Sequence, residues 1–170
     1  DDGSLVKWGQ RSTRFPALPS VRYPQVIQQP HELDFGAGFR DGILAVTPPG
    51  KLADFSVLVP KCDNDGNEIG TLRPPEVAVP LATYTGWNLR HRDRGAEDML
   101  ANLAGSFFPF PKTRSERVAN GDARASVEER YESFLTYRAA FMKECERLVE
   151  RRYLLREDAG RLRSGLARYE

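Results

Sequence analysis

A serine hydrolase needs a nucleophile, a base within hydrogen-bond reach of it, and an oxyanion hole. The strongest serine candidate is Ser106, in Gly105-Ser106-Phe107. It has one glycine before it and none at the second glycine of the G-x-S-x-G elbow that sets a nucleophile on a sharp strand-to-helix turn. It reads as a loop serine. The base inventory is two histidines, His31 in Pro30-His31-Glu32 and His91 in Arg90-His91-Arg92-Asp93. The arginines beside His91 oppose its protonated form, and neither histidine has a partner at sequence level. No triad and no His-rich metal site can be assembled from this chain, so no catalytic residue, metal ligand or cofactor site is assigned.

Three further patterns suggest chemistry and are read as structure. Asp63, Asp65 and Asn67 alternate oxygens as a calcium loop does, but that motif wants Gly at its sixth place and Glu at its twelfth. Glu68 and Pro74 stand there. The segment reads as a hairpin tip, where Asp, Asn and Gly suit turn geometry. Gly36, Gly38 and Gly42 miss the G-x-G-x-x-G spacing by one residue and precede a strand instead of following one, so a phosphate cradle is not indicated. The Arg-rich tail interleaves acids with its bases, which is the pattern of a solvated, salt-bridged helix face and not of a nucleic-acid patch.

Pro80-Leu81-Ala82-Thr83-Tyr84-Thr85-Gly86-Trp87-Asn88-Leu89-Arg90 is the segment best suited to lining a pocket. Aromatics supply area and amides supply orientation there. Tyr84, Trp87, Asn88 and Arg90 are therefore the substrate-binding candidates. Ser106 to Pro111, with three Phe and two Pro, reads as a fixed aromatic plug against a core or a partner.

The elements that must position these residues follow from composition and period. The chain has 170 residues, with 40% hydrophobic and 29% charged side chains. That is a globular balance and excludes collagenous, mucin-like and wholly disordered classes. The net charge of +1 indicates neither a nucleic-acid nor a membrane-surface field. No apolar run approaches the ~20 residues of a membrane span. Cys62 and Cys145 are too few for a disulfide scaffold and are read as unpaired thiols. The polar start, Asp1-Asp2-Gly3-Ser4, without Met, reads as a piece of a longer protein.

All 12 prolines lie between Pro16 and Pro111. Proline breaks helices, so the front is expected to be loops, short strands and turns. Residues 1–30 read as an extended arm, with polyproline-like geometry at 14–19. Strands are expected at 42–46 and 55–59, with 68–72 returning as a hairpin partner, and a broken extended run at 77–79 and 81–84. Residues 112–170 hold 14 basic and 11 acidic side chains and no proline, so they are expected to be helical. Thr113…Glu116 and Ser126…Glu129 have capping-box spacing. Asn120-Gly121 is a helix stop. From Ser133, the residues Phe134, Tyr137, Phe141, Cys145, Leu148 and Val149 make one apolar helical face. A last helix is expected from Glu157 to Arg168. The fold class is α+β, with a small antiparallel sheet and irregular Pro-rich loops in the first two-thirds and a helical last third. One domain is expected over 1–170, comprising arm (1–30), β/loop part (31–111) and helical part (112–170).

The stretches Val59-Pro60-Lys61 to Asp65-Gly66-Asn67-Glu68, Pro75 to Arg90, Gly105 to Phe110 with Thr113 to Arg117, and Gly121 to Tyr131 carry a resemblance. The chain resembles the C-terminal part of a family of bacterial α/β-hydrolase domain-containing proteins, over most of its length after about residue 14. It departs from the pattern at Cys62 and at Arg156, where a proline is expected. In the longer family proteins the serine nucleophile and the histidine lie upstream of the matched region. The resemblance therefore implies a C-terminal accessory domain of an esterase-like hydrolase without its own nucleophile. Its partner would be the remainder of the parent polypeptide and its substrate a small ester, with no nucleic acid and no membrane. The alternative is a non-enzymatic binding or structural interaction module, with the arm and the Phe-rich loop as contact surfaces.

Overall fold

A computed structural model describes residues 3–13, 15–27, 29–70 and 72–166. The expectations at Arg14 and at Arg168 lie outside these residues. The chain runs through β1 (Leu5–Lys7), β2 (His31–Asp34), β3 (Gly50–Asp54), β4 (Leu58–Pro60), α1 (Pro75–Ala78), β5 (Ala82–Thr85), β6 (Ser106–Pro109), α2 (Arg114–Asn120), α3 (Val127–Arg130), α4 (Phe134–Glu150) and α5 (Arg156–Gly165). The strands make three antiparallel two-stranded ladders, β1–β4, β2–β3 and β5–β6. The class is α+β, as composition and proline placement require.

The front departs from expectation in detail. Residues 42–46 form no strand. Gly42 closes a short 3-10 turn at φ +81°, and Ile43 N–H bonds back to Gly38 O at 2.9 Å. The run at 55–59 gives only β4, whose partner is the distant β1 (Val6 opposite Val59). Among the described residues of 68–72 the return is marked by the bridge of Cys62 to Glu68 and the backbone bond from Ile69 N–H to Lys61 O. Residues 77–79 fall in and after α1, because Pro75 preorganises the first helical turn. The Phe-rich plug is strand β6, paired Tyr84 opposite Phe107. The 1–30 arm includes β1 and a 3-10 turn over Trp8–Thr13.

The helical third follows its local signals. Ser133 Oγ accepts from Thr136 N–H at 3.1 Å and starts α4. Gly121, at φ +65°, ends α2. The capping box at Ser126 is complete, whereas Thr113 caps Glu116 but the Glu116 carboxylate turns to Lys112 N–H at 2.7 Å. The face of α4 buries Tyr137, Phe141, Cys145 and Leu148, and Phe134 and Val149 are half-buried. α4 lies against α1 and α5, and Leu166 joins Tyr137, Phe141 and Cys145 in the core. Both cysteines are free, and burial pushes each thiol up to about 11.

Glu129 closes the capping box. Its carboxylate accepts from Ser126 N–H at 2.9 Å, Ser126 Oγ–H at 2.8 Å and Arg117 Nε at 2.8 Å. These bonds, the Ser126 backbone first, hold it down to about 2 from the ordinary 4.5. A carboxyl depressed in the folded state stabilises above its unfolded value and loses that contribution as pH falls through the folded one. The Glu129 contribution is thus present above about pH 4.5 and lost toward about pH 2. Glu129→Gln should shrink the drop in Tm between about pH 5 and pH 3. Equal drops in variant and parent melts would contradict this.

Candidate functional site

The segment proposed to line a pocket is held by a buried polar frame. Asn67 is fully buried. Its side-chain amide donates to Ala82 O at 3.1 Å and its oxygen accepts from Tyr84 N–H at 2.8 Å, so it stands in for a neighbouring strand along the free edge of β5. The turn carrying it needs Gly66 at φ +80°, where a Cβ would lie 3.0 Å from Phe15 and from Thr83. Thr83 Oγ donates to Asp65 O and accepts from Arg124 Nη1 at 2.9 Å.

Arg124 uses all five of its N–H donors. They reach Asp122 Oδ1 (3.0 Å) and Oδ2 (2.6 Å), Thr83 Oγ, Phe108 O (2.9 Å) and Pro109 O (3.1 Å). Burial pushes the Asp122 carboxyl up, but hydrogen bonds from Arg124 outweigh this and hold it below the ordinary range. Two more ion pairs complete the frame. Arg130 grips Asp65 with both terminal nitrogens, and Arg73 donates to Asp63 Oδ2 at 2.8 Å.

This frame explains the alternating oxygens at 63–67. Asp63 Oδ1 accepts from the N–H groups of Asp65 and Asn67, Asp65 is taken by Arg130, and the Asn67 amide serves β5. Their oxygens are committed to protein donors, as the hairpin-tip reading requires. Among the described residues no group of three or more His, Cys, Asp or Glu is arranged to hold a metal ion.

The four pocket candidates do not converge on one cavity. Tyr84 lines one of about 540 Å³ with Glu76, Phe141 and Leu162, and one of about 300 Å³ with Glu68, Arg73 and Gly86. Its ring packs edge-on to Phe107 at 5.4 Å. Trp87 is a packing anchor. Phe15 and Tyr23 from the N-terminal arm lie 5.6 and 5.4 Å from it, and Phe108 lies 6.4 Å away. Asn88 O accepts from Ala101 N–H at 2.8 Å in an exposed loop. Arg90 donates to Arg94 O at 3.1 Å and lines a separate surface cavity of about 530 Å³ with His91 and Met99.

Ser106 Oγ donates to Trp87 O at 2.9 Å, an acceptor it shares with Thr85 Oγ. His91 is exposed, its Nδ1 accepting from Asp93 N–H at 3.3 Å. His31 Nδ1 lies 2.5 Å from Asp54 Oδ1 in the β2–β3 ribbon. Lys51 hydrogen-bonds the same carboxylate and, with His31, holds it below its ordinary range. Sequence reasoning missed the Arg124–Asp122 pair, since Gly121-Asp122-Ala123-Arg124 has the composition of any helix connector. It also missed an aromatic cavity between the segment after β6 and the start of α4.

A family model described as an alpha/beta hydrolase domain matches residues 4–164. The chain belongs to that family. No curated protein and no solved structure matches it. Membership makes this alpha/beta-hydrolase-family chain hydrolase-like by descent, whereas its chemistry has to be argued from sites.

Proposed function

We propose that this chain is an accessory part of a carboxylic-ester hydrolase of the alpha/beta-hydrolase family and that the nucleophile is supplied from outside it. The observation that carries the reading is the commitment of Ser106 Oγ to the Trp87 carbonyl in a chain that belongs to a hydrolase family. A nucleophilic serine donates instead to a base. The β2–β3 ribbon supports the same reading. Leu33, Phe39, Ile43, Leu44, Leu52 and Phe55 are each 44% exposed or more, and none of the buried core comes from this ribbon. Clustered exposed apolar side chains mark surfaces that another body covers, here the remainder of the hydrolase.

A serine-reactive phosphonate tests the assignment. In the complete hydrolase carrying this segment, the adduct should map outside residues 1–170. An adduct on Ser106 would overturn the proposal.

Within the same reading Tyr84 is the substrate-facing member of Tyr84, Trp87, Asn88 and Arg90, because cavities flank it on two sides. Tyr84→Ala in the complete hydrolase should raise KM about 10-fold, the loss typical of a removed apolar pocket contact. Unchanged kinetics in a stably folded variant would remove Tyr84 from the site.

A further inference from the structure

A further cavity of about 450 Å³ opens between the segment that follows β6, α3 and the start of α4. Four aromatic rings line it, those of Phe110, Tyr131, Phe134 and Tyr137, with two aliphatic side chains and the polar residues Lys112 and Ser133. Its size and mostly apolar lining are those of a small-molecule site.

Three of the polar groups at its wall decide what a ligand would meet. The Tyr131 hydroxyl donates to Pro80 O at 3.0 Å, so its ring, and not its hydroxyl, is what a ligand would meet. The Ser133 hydroxyl is committed to the cap of α4, with Thr136 N–H and Thr136 Oγ. Lys112 is exposed at the rim, and its ammonium has no hydrogen bond or ion pair among the described residues. Lys112 is the one charged side chain in the lining. The first turn of α4 carries no acid, the Glu116 carboxylate sits on the Lys112 backbone N–H, and the guanidinium groups of Arg130 and Arg124, each paired with an aspartate, lie 4.1 and 5.0 Å from the Phe110 ring centroid. Glu132, beside Ser133, is exposed and outside the lining.

An apolar, ring-lined hollow with one free cation suits a ligand that is mostly ring and carries one negative charge. A dianion would outnumber the cation, and an amine would be repelled by it. We propose that this cavity binds a small aromatic monocarboxylate, with the ring among Tyr131, Phe134 and Tyr137 and the carboxylate on Lys112. The site stands independently of the hydrolase assignment.

The test is titration of the 170-residue chain with phenylacetate and with its neutral isostere phenylacetamide, followed by amide chemical shifts. Phenylacetate should bind saturably with Kd on the order of 1 mM. Its shifts should centre on Lys112 and residues 131–137. The amide should bind about 5-fold more weakly, and Lys112→Gln should erase the difference between the two probes. Equal affinity for both probes, an undiminished preference in Lys112→Gln, shifts mapping elsewhere, or no saturation by roughly 20 mM would each overturn the proposal.

Discussion

Arg124→Met should cost about 3–5 kcal/mol of folding stability, because it removes one partner of a buried ion pair and strands the other. Both side chains of the Arg124–Asp122 pair are only 4% exposed. The substitution leaves the Asp122 carboxylate without its bidentate partner and takes donors from Thr83 Oγ, Phe108 O and Pro109 O together. A domain of this size has roughly 5–15 kcal/mol in total, so the variant should approach the edge of folding. Urea unfolding measures the loss. Arg161→Ala, which breaks an exposed i,i+3 pair with Asp158, should cost under about 0.5 kcal/mol. The double variant Asp122→Leu with Arg124→Met should be less destabilised than the sum of its singles, since no charge is left buried. Additive losses would show that the two groups act separately, contrary to the geometry.

The second large effect is Phe141→Ala. Phe141 is 2% exposed and shares one core cluster with Tyr137, Cys145 and Leu166. Losing the ring removes its transfer free energy and leaves a cavity, at about 3–5 kcal/mol. The neighbouring hollow that Phe141 lines with Tyr84 would enlarge. Tm should fall by about 10 °C, given the usual few degrees per kcal/mol at this length. A fall of only one or two degrees would mean that α5 is not packed as described.

These two sites differ in how far the sequence announced them. Phe141 belongs to a 3.6-residue apolar stripe, and its neighbours on that stripe are local, so the face of α4 could be read directly. Helix caps are local too, which is why Thr113 and Ser126 could be named from their spacing. Arg124 gave no such signal. Its meaning lies in Thr83, which is 41 residues away. Asp65 and Arg130 are paired across 65 residues. The oxygens of Asp63, Asp65 and Asn67 were visible as a group, but what they bind is set by long-range folding.

Strands suffered in the same way. The 42–46 run has strand composition, yet Gly38 and Gly42 let it fold back as a turn. β4 finds its partner in β1, at the other end of the front part. For the candidate site, the aromatic content of 80–90 was legible. Its division into an anchor at Trp87, a cavity wall at Tyr84 and a loop at Asn88 and Arg90 was not, because Phe15 and Tyr23 arrive from the N-terminal arm to cover the indole.

The decisive measurement is hydrolysis of a short-chain p-nitrophenyl ester by this chain and, side by side, by the longer hydrolase we propose it belongs to. A serine-reactive phosphonate serves as control in both. Phosphonate-sensitive turnover is expected from the longer hydrolase and none from the 170-residue chain. Phosphonate-sensitive turnover by the chain alone, lost in Ser106→Ala, would contradict it and make Ser106 a nucleophile.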